Sequence, residues 1–236
     1  MNHQTDSARC LTVIIPVYNE ADTIETLLER VLAQPAVREV LVVDDASADG
    51  TRDKLLPWPA RDSRIRLFHH AANRGKGAAI RTALPAVTSP WVLIQDADLE
   101  YDPQDYETLL EPARNGLAEV VYGSRFAGPG WRQSLKLHTL QNRLLTAVSN
   151  FASGLRLSDS ATCYKLFRSD LLKALTLKED RFGFCPEVTA KLARAGVRIQ
   201  EVPVRYRGRT HAAGKKLRFR DGLSALRCIL VYNCRP

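Results

Sequence analysis

The chain has 236 residues, 45% of them apolar and 25% charged, which excludes disorder, collagen and coiled coil and suits one large α/β domain. No stretch of about 18 apolar residues is present to span a bilayer, and the polar residues 1–10 do not read as a signal peptide. The net charge of +8 is uneven: residues 191–236 hold 12 Lys/Arg against 2 Asp/Glu, a local +10 that leaves −2 for the first 190. Such a basic end implies either an anionic partner (phosphate, lipid head group or nucleic acid) or a solvated tail.

In chain order, the β-branched run at 11–17 predicts a buried strand that Pro16 closes. Ile24, Leu27, Leu28, Val31 and Leu32 recur at helical spacing within 20–33. A second strand at 39–45 ends in Asp44-Asp45 and a turn at 47–50. A short helix at 51–56 is stopped by Pro57 and Pro59. Then come a strand at 64–69, a helix at 77–84 and a strand at 91–94 that ends in Asp96-Ala97-Asp98. Strand and helix alternate at a steady pitch, so a mostly parallel sheet with helices on both faces is expected.

The second half reads as a helix at 103–114, a strand at 119–122, a Gly/Pro/Trp loop at 126–137 that is a candidate lid, and a helix at 139–152. A strand at 164–167, helices at 169–174 and 187–195, and a strand at 197–206 follow. A basic loop at 207–216 and an amphipathic helix at 221–232 end the chain. No repeat or linker interrupts it, so a single domain over 1–236 is expected, with the basic loop and helix at about 207–236 as its tail.

Ligands of open α/β sheets sit beyond the C-terminal ends of the strands. Tyr18-Asn19-Glu20, Asp44-Asp45 and Asp96-Ala97-Asp98 each follow a strand, so they should converge on one rim. Two carboxylates one residue apart, Asp96 and Asp98, can hold Mg²⁺ or Mn²⁺, with substrate phosphates completing its shell. Asp45 could accept hydrogen bonds from a ribose or base, or could cap the next turn. Asn73-Arg74-Gly75-Lys76-Gly77 could cradle a phosphate or be a tight packing loop, and it lacks the G-x-x-x-x-G-K-[ST] pattern of ATPases. The cysteines Cys10, Cys163, Cys185, Cys228 and Cys234 show no metal spacing and read as reduced thiols of a cytoplasmic protein.

Five segments, VIIPVYNE at 13–20, VVDDASADGT at 42–51, NRGKGAAIRTAL at 73–84, QDADLEYDP at 95–103 and GSRF at 123–126, occur in the order and spacing of a known family. The chain resembles the family 2 glycosyltransferases of the Rossmann-like GT-A fold, nearest to polyprenyl-phosphate hexosyltransferases such as dolichyl-phosphate mannose or glucose synthases. The likeness runs from Leu11 to Gly222. It implies that Pro16, Tyr18, Glu20, Val43 and Asp45 line the nucleotide, that Asp96 and Ala97 contact the sugar nucleotide, and that Asp98 is the main metal ligand. It also implies that Arg125 meets phosphate and that Arg209 and Lys215 close over the diphosphate. Guanidinium and ammonium groups suit that task because they offset charge on a leaving nucleoside diphosphate. Glu187 falls near the family's acidic position beside the acceptor. A hydroxyl acceptor would require it as a base, whereas an anionic phosphate would not. Its other reading is a first-turn carboxylate favoured by the helix dipole.

Departures from the family pattern gather around the acceptor. Glu100 replaces a usual Gln, residues 159–164 replace an Asp-x-x-Ser-Gly-Phe pattern, and His138 and Asn142 stand where Arg and Ser are common. The expected activity is inverting transfer of glucose or mannose from a UDP- or GDP-sugar to a polyprenyl phosphate. A soluble hydroxyl acceptor is the alternative, and a sugar nucleotidyltransferase a more distant one. No nucleic-acid partner is expected, because aromatic stacking motifs are missing. Leu223, Leu226, Ile229 and Leu230 share one face of the last helix beside Lys215, Lys216, Arg218, Arg220 and Arg227. That pattern fits a helix lying on an anionic membrane or one packed on the domain, so the expected location is cytoplasmic, with peripheral attachment to the membrane's cytoplasmic face.

Overall fold

The computed structural model describes residues 9–127, 137–209 and 219–234. Seven strands form one sheet: β1 Leu11–Val17, β2 Val37–Asp44, β3 Ile65–His69, β4 Trp91–Ile94, β5 Val120–Ser124, β6 Lys165–Arg168 and β7 Ile199–Pro203. Their order is β3-β2-β1-β4-β6-β5-β7. Six run in one direction, and β6 alone is antiparallel to both of its neighbours. The helices are α1 Ile24–Leu32, α2 Thr51–Leu55, α3 Trp58–Arg61, α4 Lys76–Ala83, α5 Tyr106–Arg114, α6 Leu137–Ser153, α7 Ser169–Ala174, α8 Phe184–Arg194 and α9 Phe219–Cys234.

The central strands are apolar without alternation because both of their faces are covered. Val13, Ile15, Val40, Val42 and Leu93 point to one face, under α1 and α5. Ile14, Leu41, Val43, Val92 and Ile94 point to the other, under α4 and α8. Fully burying such a side chain stabilises by about 1.5–3 kcal/mol, so this double layer fixes the sheet. Strand order turns back between β1 and β4, which opens the crevice where such sheets take ligands.

Local differences from the expected elements have simple causes. α2 ends at Leu55, before Pro57 as expected, but Pro57 then leads into α3, whose Pro59 falls in the first turn, where a missing N–H costs little. α8 begins at Phe184 rather than Glu187 for the same reason, with Pro186 in its first turn. β7 stops at Pro203, and only an isolated antiparallel bridge between Tyr101 and Tyr206 continues it. α9 packs against α6 and α8. It does not present the expected four-residue face, because Ile229 is buried while Leu223 and Leu230 point outward.

Candidate active site

Three strand ends meet at the rim as expected, and each is held by a strained residue. Asn19 after β1, Ala46 after β2 and Leu99 after β4 have φ of 50°, 62° and 59°. A non-glycine residue in that region costs roughly 1–2 kcal/mol, and such strain concentrates at functional turns. Hydrogen bonds fix the first two turns to each other. The Asn19 N–H donates to Ser47 Oγ (2.9 Å), the Ala48 N–H to Asn19 Oδ1 (2.8 Å) and the Glu20 N–H to Thr51 Oγ1 (2.8 Å). Thr23 Oγ1 lies 2.9 Å from Glu20 Oε2 and 2.8 Å from the Ala97 carbonyl oxygen, tying the first turn to the acidic triplet.

The triplet itself is crowded with charge. Asp96 is paired with Lys76, the first residue of α4. Asp98 accepts from the Glu100 N–H at 3.1 Å. Burial, then the carboxylates of Asp96 and Glu100, push the Asp98 carboxyl up to about 7. Arg209 spans the group: its Nε donates to the Asp98 carbonyl (2.7 Å), its Nη2 to Glu20 Oε2 (2.9 Å) and its main-chain N–H to Glu100 Oε1 (2.6 Å). The Tyr206 hydroxyl donates to the other Glu100 oxygen at 2.6 Å. Glu100 therefore accepts from two donors, which one amide oxygen at the usual Gln would have to share.

Other expected site residues are placed differently from one another. Pro16, half-buried, is the penultimate residue of β1 and pairs with Val43, Val17 ends the strand, and Tyr18 is exposed on the rim. Val43 is completely buried within the sheet, and Ala97 is buried with its carbonyl bonded to Thr23. The buried Asp45 carboxylate accepts from His70 Nδ1 (2.6 Å), the Arg74 N–H (2.8 Å) and the Gly75 N–H (2.7 Å). Those amides are thereby committed, and a Cβ at Gly77 would overlap the Glu179 carbonyl oxygen. The 73–77 segment is thus the tight packing loop of the two readings, and it aims Lys76 at Asp96.

Arg125 makes a fork with Asp159, Nε to Oδ2 and Nη2 to Oδ1 at 2.7 Å each, with its guanidinium carbon 5.2 Å from the centre of the Tyr206 ring. Contact with a phosphate requires it to share that pair. Glu187 corrects the expectation of a base beside the acceptor. It is fully buried and accepts from the Lys178 N–H (2.7 Å), the Glu179 N–H (2.8 Å) and Lys191 Nζ (2.5 Å). Three donors leave it no role in taking a proton, and it holds the segment against which Gly77 packs. Lys215, Lys216, Arg218 and most of the candidate lid lie outside the described residues, as do the side chains of Arg220 and His138.

Among the described residues no group of three or more His, Cys, Asp or Glu forms a ready metal cage. Asp96 and Asp98 still fit a hydrated Mg²⁺ or Mn²⁺, because both are oxygen donors and the crowding around Asp98 favours an added cation. Sequence reasoning missed the roles of Lys76, His70, Thr23 and Asp159. Only Lys76 left a signal, a cation opening a helix after the Asn-Arg-Gly turn.

The mostly parallel sheet, the acidic triplet beyond β4 and the cations facing it define a GT-A glycosyltransferase. The Glycosyl transferase family 2 profile matches residues 12–176, and the chain belongs to that family. It is 34% identical over 210 residues to an undecaprenyl-phosphate mannosyltransferase of Micrococcus luteus, covering 84% of this chain and 83% of that one. It is 30% identical over 220 residues to glycosyltransferase AglJ of Haloferax volcanii, covering 92% and 69%. A dodecaprenyl-phosphate galacturonate synthase of Rhizobium johnstonii is 24% identical, covering 87% and 61%. Glucosyl-3-phosphoglycerate synthase of Mycobacterium tuberculosis, solved with UDP, superposes with a TM-score of 0.75 at 20% identity, covering 99% of this chain and 83% of that one, which shows the shared fold.

Proposed function

We propose that the protein transfers a hexosyl group, glucose or mannose, from a UDP- or GDP-sugar to a polyprenyl phosphate with inversion at the anomeric carbon. The observation that carries this is the convergence of Lys76 and Arg209 on Asp96-Ala97-Asp98 at the β1/β4 crevice. That arrangement suits a donor whose leaving group is a diphosphate. The acceptor class is supported by relatives named as polyprenyl-phosphate sugar transferases. Solved neighbours of the fold hold UDP with Mg²⁺ or Mn²⁺.

In the reaction an acceptor phosphate oxygen attacks the anomeric carbon from the face opposite the diphosphate. The bond to the diphosphate oxygen breaks, and its electron pair leaves on the nucleoside diphosphate. A phosphate acceptor is already anionic at neutral pH, so no side chain has to remove a proton, in keeping with the buried Glu187. Arg209 exchanges its bond to Glu20 for one to the departing phosphates and offsets their charge. Lys76 holds Asp96 in orientation. Asp96 and Asp98 would hold the divalent cation, which when bound stabilises negative charge on the diphosphate. Glu20 and the turn of Asn19 and Ser47 form the wall for the nucleoside, and the basic tail draws the enzyme to an anionic membrane surface.

A panel of labelled UDP- and GDP-hexoses, each offered with and without polyprenyl phosphate, tests the reading. Label should enter an organic-soluble, acid-labile product only when the lipid phosphate is present. Transfer confined to a water-soluble hydroxyl acceptor would overturn it.

A further inference from the structure

The geometry points to α6 as an inside-out amphipathic helix whose outer face rests on a lipid bilayer. This deepens the lipid-phosphate reading above and rests on it. An ordinary surface helix buries its apolar residues and exposes its polar ones. α6 does the reverse. Its buried residues include Thr146 and Ser149, and Leu140, Leu144 and Phe151 are 67%, 64% and 93% exposed. These three lie at i, i+4 and i+11, on one stripe about 16 Å long at the helical rise. The neighbouring α9 also exposes Leu223 and Leu230, at 56% and 50%.

The polar inner side of α6 has a definite task. Thr146 Oγ1 accepts from the Ser160 N–H at 3.1 Å, and Asn150 both donates to the Leu157 carbonyl (2.8 Å) and accepts from the Leu157 N–H (3.0 Å). The segment so held carries Asp159, the partner of Arg125. One face of the helix therefore supports the site while the other faces outward, separated by a helix diameter of about 10 Å. An acceptor phosphate at the rim would have its apolar tail directed along this side.

Charge selects lipid as the occupant. Exposed Arg143 directly precedes Leu144 on α6, exposed Arg227 follows Leu223 by one turn on α9, and 12 Lys/Arg against 2 Asp/Glu occupy residues 191–236. Two copies brought together through this face would juxtapose like charges, whereas an anionic bilayer accepts both the cations and the Leu/Phe stripe.

The test uses the full chain with vesicles of phosphatidylcholine and phosphatidylglycerol, without substrates, and a variant carrying Leu140→Ser, Leu144→Ser and Phe151→Ser. The wild type should float with the vesicles, and the variant at least tenfold less. The variant should lose transfer to a vesicle-embedded polyprenyl phosphate while keeping transfer to a short, water-soluble prenyl phosphate. Equal flotation of the two proteins overturns the proposal, as does a wild-type dimer that ignores vesicles and that the substitutions dissociate. A wild type that floats but transfers to neither prenyl phosphate upholds the docking face and sinks the acceptor reading instead.

Discussion

The carboxyl of Asp98 is half-buried beside Asp96 and Glu100, an arrangement that a protein without a cation to bind would have little reason to keep. Asp98→Asn should lower kcat by at least about a hundredfold, the scale of losing an electrostatic partner of developing charge. Its thermal midpoint should stay level or rise, because a like-charge contact is relieved. Wild-type turnover, or a collapse of the midpoint, would contradict this. Lys165 gives a residue-scale test away from the rim. It is fully buried, donates to the Ser160 carbonyl at 3.0 Å and lies 3.3 Å from the centre of the Tyr122 ring. Burial pushes its ammonium down to about 8 from 10.5. The unfolded chain therefore binds more protons between those values, so the penalty is full below pH 8 and gone above 10.5. Lys165→Met should stabilise at pH 7, by at most roughly 3 kcal/mol, with the gain shrinking toward pH 10.5 in denaturant titrations. A gain that grows with pH would refute the assignment.

At the scale of elements, β1, β2 and β4 were legible as strands because both of their faces are buried and each carries a continuous apolar run, VIIPV, VLVV and WVLI. The rim was legible for a related reason: Tyr18–Glu20, Asp44-Asp45 and Asp96–Asp98 are abrupt polar stops to those runs. What could not be read depends on partners distant in sequence. The antiparallel entry of β6 between β4 and β5 leaves no mark on the short run Lys165–Arg168. Asp45 resembles a ligand group until its three internal donors, from His70, Arg74 and Gly75, are known. Glu187 likewise resembles a base until the loop it holds is seen. The segment after β7 is fastened to the site mainly through Tyr206, Arg207 and Arg209, which can exchange partners when a donor arrives. Protease cleavage within 207–216 should slow when nucleotide sugar and Mg²⁺ are added together. Cleavage that ignores the ligands would count against closure by this loop.

For the whole molecule, the crevice lies at the C-terminal ends of β1 and β4, where the strand order turns back. Asp96 and Asp98 alone supply too few oxygens to fill a cation's shell, which under the proposed function a donor diphosphate and water would complete. Metal and nucleoside diphosphate should therefore raise the thermal midpoint together by more than the sum of their separate effects. Ligand at a hundred times its Kd should add about 2.7 kcal/mol. Simple additivity would place the two at independent sites.

The bond from Arg209 to Glu20 joins residues 189 positions apart. A ribosome working at 5–20 residues per second needs roughly 10–40 s to cover that distance. Until then the newborn chain owns the turn, the acids and the crevice but not the arginine that closes them. Thr23, three residues from Glu20 and made within a second of it, is the partner that can hold the carboxylate through the wait. The crevice is thus begun at Glu20 and completed 189 residues later at Arg209, so a translation product cut short before Arg209 would carry the sheet without the means to close it.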